Sequence, residues 1–132
     1  RPPRSTLFPY TTLFRSEITM SVQQYTEDVS KAIENEVNET AKKVRKDAAD
    51  NSPVDTGEYK KGWARKKSSK GGQIKYTIYN KEKPFLVHLL EFGHANAKGG
   101  RAPAIPHLRP AYDRHVPEME KRIKKIIKNG GD

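Results

Sequence analysis

A single apolar stripe runs through the first half of this chain and sets how that half can pack. Across residues 21–50, Val22, Tyr25, Val29, Ile33, Val37, Ala41, Val44 and Ala48 recur at spacings of three and four. That period puts them on one face of a long helix, with Glu27, Asp28, Lys31 and Glu34 toward water. Ser21-Val22-Gln23-Gln24 fits a capping box, in which a Ser oxygen and a Gln side chain satisfy the first helical donors. Asn51-Ser52-Pro53 ends the helix, because the residue before a proline is pushed out of helical geometry.

A second stripe follows Pro106: Leu108, Tyr112, Val116, Met119, Ile123, Ile126 and Ile127, stopped by Asn129-Gly130-Gly131. Pro117 has no N–H to donate, so it must kink this helix or start its second half. Between the helices, residues 73–80 alternate strictly, with Ile74, Tyr76 and Ile78 on one face and Lys75, Thr77 and Tyr79 on the other. A period of two is a half-buried strand. Ser68-Ser69-Lys70-Gly71-Gly72 reads as a five-residue connection, making residues 62–67 the hairpin partner. Periodicity alone leaves residues 84–92 open between a short buried helix and a strand; residues 95–103, with two adjacent glycines, read as a mobile loop. The order α–β–β–α gives an α+β domain.

At 132 residues, 33% hydrophobic and 32% charged, the chain holds about one domain with a small core. It has no cysteine, which excludes disulfides, thiolate zinc sites and Cys nucleophiles. The longest apolar stretch, residues 84–90, is far short of the ~20 residues that cross a bilayer, so no membrane partner is expected. Net charge is +10, and it is segregated. Residues 21–50 carry seven acids and five bases, while everything after carries eighteen bases and eight acids. Residues 6–16, TLFPYTTLFRS, look like a sequencing adapter translated in frame. On that reading residues 1–19 are a non-native leader and Met20 opens a single domain, 20–132. The leader holds three Arg and one Glu, so the 113 residues that remain carry +8.

Three constellations suggest chemistry. Asp55-Thr56-Gly57 is the short signature of aspartic proteases, but its flanks are polar and charged, where a strand-buried Asp is implausible. The plainer reading makes Asp55 a helix cap, with Glu58 in the reciprocal position and Gly57 easing the bend. His88 and Glu91 stand at i, i+3, and His94 or His107 would complete a three-ligand metal site. No tight ligand pair accompanies them or His115, and isolated histidines more often pack or hydrogen-bond, so no metal or cofactor is expected. Residues 60–70 hold six Lys or Arg and no acid, interleaved with Trp63; residues 121–128 hold five and no acid. Such charge holds phosphate backbones without reading bases, making a small sequence-non-specific nucleic-acid-binding protein the alternative function. A solvated, lysine-protected edge strand explains the first run equally simply.

Three segments together resemble one family: residues 52–63 (SPVDTGEYKKGW), residues 88–94 (HLLEFGH), and Gly99-Gly100-Arg101 followed by PAIPHLRPA at 103–111. In this order and spacing they are similar to the HK-ninety-seven gene-ten-like family of long-tailed bacteriophages, over roughly residues 22–127. The resemblance implies a non-enzymatic virion protein, a minor tail component that joins or completes the tail at the head–tail connector. It implies assembly in the bacterial host cytoplasm as one copy of an oligomeric ring, with connector and tail-tube proteins as partners and possible non-specific contact with phage DNA. The implied fold is a long N-terminal helix, a small antiparallel sheet with a β-hairpin, a short central helix and a C-terminal helix. Asp55, Thr56, Gly57, Trp63, Glu91, Gly93, His94, Pro106, His107 and Pro110 are its structural motif; Lys98, Gly99, Gly100 and Arg101 are its interface candidates. Pro117 departs from the pattern and puts the last helix's continuity in question.

Overall fold

The computed structural model describes residues 7–11 (backbone only), 15–53, 57–96 and 98–130. Its elements are β1 (Leu7–Thr11), β2 (Arg15–Ser21), α1 (Glu27–Asp50), α2 (Glu58–Lys61), β3 (Trp63–Lys70), β4 (Gln73–Asn80), α3 (Pro84–Phe92), β5 (His94–Ala95), β6 (Arg101–Ala102) and α4 (Leu108–Lys128). The α+β class holds, with the long first helix, the hairpin, the short central helix and the last helix in place. β1, β2, β4 and β3 form one antiparallel sheet in that order. α1 and α4 pack on one of its faces and against each other.

The sheet holds strands that the α–β–β–α order lacked. β2 alternates buried Ser16, Ile18 and Met20 with outward Glu17, Thr19 and Ser21. It pairs with β4 so that Ile18 faces Tyr76 and Met20 faces Ile74, extending the buried face of Ile74, Tyr76 and Ile78. Ser21 is therefore the last strand residue and caps nothing. The backbone N–H of Val22 bonds to Gly72 O at 2.8 Å, tying the chain to the hairpin turn, and the helix begins only after another turn. The cap is Thr26, whose hydroxyl accepts from Val29 N at 3.3 Å.

Two further expectations change, and one open choice is resolved. The β3–β4 connection is two residues, not five: Gly71 and Gly72 both have positive φ (60° and 79°), the signature of a type I′ turn, and Ser68, Ser69 and Lys70 stay in the ladder. Residues 95–103 are not an unstructured loop. β5 and β6 pair there, with Asn96 N bonded to Gly100 O at 3.1 Å and the turn passing through the positive-φ Gly99 and Gly100. Pro84–Phe92 is a helix, Pro84 standing in its first turn where the missing N–H costs nothing.

α4 is one helix with Pro117 inside it, so the proline does not start a second one. Leu108, Ala111, Val116, Met119 and Ile123 face α1's Ile33, Val37, Ala41, Val44 and Ala48 in the core. The two helices run antiparallel, clamped at one end by Asp47 and at the other by Glu36 with Arg122. Arg114 grips Asp47 at 2.8 and 2.6 Å, and His115 Nε2 lies 2.8 Å away. The Arg114 hydrogen bond, more than any other contact, holds the Asp47 carboxyl below its ordinary value of 3.8.

A chain begun at Met20 loses Ile18 and leaves β4 unpaired along most of one edge. Burying an isoleucine contributes about 1.5–3 kcal/mol by itself. The urea midpoint of residues 20–132 should therefore fall well below that of the full chain; coincident midpoints would show that β2 adds no stability.

Candidate functional site

The three motif segments, far apart in sequence, meet at one buried polar junction. In the first, the Ser52 hydroxyl donates to Ala48 O at 2.6 Å and accepts the Trp63 indole N–H at 2.7 Å. This fixes the end of α1 to the start of β3. Between them Gly57 stands at the cap position of α2 with φ 85°, and the helical turn starts at Glu58. Asp55 and Thr56 lie outside the described residues. Glu58 lies 3.6 Å from Lys83. Asn80, at the inner end of β4, donates to Tyr59 O at 2.7 Å and accepts from Glu82 N and Lys83 N at 3.1 and 2.9 Å. Gly62 admits that approach, since a Cβ there would lie 2.4 Å from Asn80 Oδ1.

The second and third segments meet through Glu91. Its carboxylate is buried, and Oε1 accepts from His107 N at 2.8 Å and Leu108 N at 2.6 Å, while Oε2 accepts from Arg109 N at 3.3 Å. These are first-turn donors of α4, which have no partner within the helix. His107, at the cap position, offers no capping side chain, so a carboxylate from α3 does the capping. Pro110 follows in the same turn and has no N–H to satisfy. Negative charge at a helix N-terminus also meets the positive end of the helix dipole. Gly93 lets the chain leave α3: its φ is 72°, and a Cβ would lie 2.6 Å from Ala102 O.

The His107 ring joins both halves. Its Nδ1 lies 2.9 Å from Ile105 O and 3.1 Å from Glu91 Oε1, both acceptors, so Nδ1 carries the proton. Nε2 then accepts the Tyr59 hydroxyl at 2.5 Å. Burial, and secondarily the Glu91 charge, push the Tyr59 hydroxyl well above its ordinary 10, which keeps it a donor. Tyr59, Trp63 and His107 stack edge-to-face with centroids 5.4–5.7 Å apart.

Chemically, this junction binds the protein to itself. The metal constellation does not assemble: Glu91 and His107 are engaged as above, His88 lies between Phe85 and Phe92, and His94 is exposed in β5. Among the described residues no group of three metal-ligating side chains comes together. Trp63 is buried and does not interleave the basic run, which lies along α2 and the β3 edge. Lys98, Gly99, Gly100 and Arg101 form the exposed end of the β5–β6 hairpin, and Pro106 is exposed just before α4. Ser52 and Tyr59, which lie inside the first motif segment with no junction role assigned there, and Asn80, outside all three segments, also carry the junction. Asn80 left one signal, a polar residue at an inward position of an otherwise apolar alternation.

A family model described as "Bacteriophage HK97-gp10, putative tail-component" matches residues 16–93, more than half the chain. The chain belongs to the HK97-gp10-like family. No curated protein and no solved structure matches it significantly. The matched span contains the first motif segment and all of the second but His94, and Glu91 within it reaches out to the third. As a member of a phage tail-component family, the protein is read as a structural part of the virion.

Two substitutions test the junction by chemical denaturation. Glu91→Ala strands the α4 donors and should cost about 3 kcal/mol or more, whereas Glu91→Gln keeps one acceptor oxygen and should cost about half of that. Equal losses would mean that packing, not capping, is what Glu91 supplies. Tyr59 adds a pH signature. Its folded pKa is raised, so the stability it contributes is complete below about pH 10 and lost as pH rises beyond it. Tyr59→Phe should weaken the protein at neutral pH and flatten this alkaline fall; an unchanged alkaline slope would contradict the assignment.

Proposed function

We propose that this protein is a non-enzymatic head–tail joining or tail-completion component, assembled in the host cytoplasm as one copy of a ring between the connector and the tail tube. One surface carries the proposal. Phe85 is 65% exposed, Phe92 48% and Ile105 47%. His88 continues the two phenylalanines into a stripe, with ring centroids 6.3 and 5.5 Å apart. Ile105 N bonds to Leu90 O at 2.6 Å, and Arg101 donates to Phe92 O at 3.2 Å, which brings the hairpin to the same end of α3. An apolar centre edged by Lys98 and Arg101 has the anatomy of a protein interface.

Its proposed occupant is the next copy. A ring needs two unlike surfaces that meet. The start of α1 supplies an acidic counterpart in the exposed Glu27 and Asp28, with no base before Lys31.

Electron microscopy of particles from a lysogen lacking this reading frame tests the role. DNA-filled heads beside separate, finished tails are expected; intact, infectious virions would overturn it. In the same system Phe85→Ser with Phe92→Ser should yield a folded monomer that fails to restore infectivity, and full restoration would remove this surface from the interface.

A further inference from the structure

The basic run 60–70 is only half of a larger basic surface. A groove of about 510 Å³ lies between the second half of α1 and the start of β3, lined by Lys42, Arg45, Lys46, Trp63, Ala64 and Arg65. Four of these six residues are cations and none is an acid. β3 is an edge strand of the sheet. On its other side Lys66 lies over the Tyr79 ring at 5.7 Å and lines a second groove with Lys75 and Arg15, where the one acid, Glu17, pairs with Arg15 at 2.9 Å and leaves the cations in excess. Cations therefore wrap the edge from one face of the sheet to the other.

We propose that this β3 edge, with the facing cations of α1, binds the phosphate backbone of duplex DNA without reading its sequence. Edge protection alone does not explain the arrangement. Lysines that block strand pairing need stand only on the strand, yet Lys42, Arg45 and Lys46 come from a helix across the groove. Their local partners compete weakly: Glu39 reaches Lys42 at 3.1 Å and Asp50 reaches Lys46 at 2.9 Å, both exposed pairs of the kind worth at most about 1 kcal/mol, while Arg45 donates to Trp63 O at 3.4 Å and, on β3, Lys67 is paired with Glu34 of α1. Phosphates can displace them.

The chemistry favours DNA over an acidic protein. Protein interfaces are depleted in lysine and anchored by exposed aromatic or apolar groups. The groove's one aromatic, Trp63, is buried with its N–H bonded to Ser52. Backbone recognition needs only cations spread along a length. β3 rises about 3.3 Å per residue, so Arg65 to Lys70 spans about 17 Å. That covers about five phosphates of one DNA strand at about 3.4 Å of helix axis each.

The inference rests on charge placement and survives or fails apart from the head–tail role. Its test is fluorescence anisotropy of the full chain on a labelled 24-base-pair duplex of mixed sequence, from about 50 to 200 mM salt. The variant Lys42→Gln/Lys46→Gln/Arg65→Gln should bind at least tenfold more weakly at 50 mM salt. Its log–log salt slope should be smaller by about 0.9 for each phosphate that is no longer neutralised. Lys124→Gln/Lys125→Gln/Lys128→Gln removes the same charge from the end of α4 and should bind nearly as tightly as the parent. Thermal melts establish that each is folded; if the first triple variant is not, Lys66→Gln/Lys70→Gln takes its place. Absence of binding at 50 mM salt, equal weakening in both sets, or tighter binding to poly-glutamate than to the duplex would overturn the proposal.

Discussion

The carboxylate of Glu91 at the start of α4 is the interaction on which the rest of the junction depends. A helix that begins inside a protein presents N–H groups that water cannot reach, and each unsatisfied one costs about 1–3 kcal/mol. Glu91 satisfies three of them from a different helix, so the end of α3 and the start of α4 cannot separate without exposing that cost. A buried charge is itself expensive unless its oxygens are bonded, and here both are. From His107 the connection runs to Tyr59, through the stacked rings to Trp63, and through Ser52 to the end of α1. Motif residues with no shared chemistry in sequence are thus members of one hydrogen-bonded and aromatic network.

That network sits beside the apolar core and does a different job. The α1–α4 contact and the inner face of the sheet supply burial, which is non-directional and roughly proportional to area. Burial alone leaves the entry of α4 and the exit of α3 poorly defined. The polar junction adds direction, and the salt bridges of Asp47 and Glu36 fix the two long helices against sliding. Gly62 and Gly93 belong to the same design, because each lets backbone or a side chain approach more closely than a Cβ would permit.

The outside of the molecule divides into chemically distinct regions. The α3 end shows exposed aromatic surface with a few cations at its margin, whereas the β3 edge shows cations around a buried tryptophan. The two differ in kind, since apolar area gains by losing water whereas an array of cations attracts anionic groups. Both follow from placements the linear charge pattern did not contain. Residues 60–70 and 42–46 are separate stretches of sequence that the α1–β3 packing sets across one groove.

The periodic elements could be read from the order of residues alone. α1, β4 and α4 were legible because a repeat of 3.6 or 2 leaves apolar residues on one face, and that face must be buried whatever it meets. The motif residues were legible as a resemblance, and the family match supports it. Junction partners were not legible: which donors Glu91 accepts, why Trp63 turns inward from a basic run, and what Asn80 does at a strand end. Short elements were lost for the same reason. Ser21 is a fair cap in isolation, yet it ends a strand because Val22 bonds to Gly72 some fifty residues away. Local propensity fixes an element when its signal repeats over several turns; where one residue must choose its partner, that partner comes within reach when the chain folds.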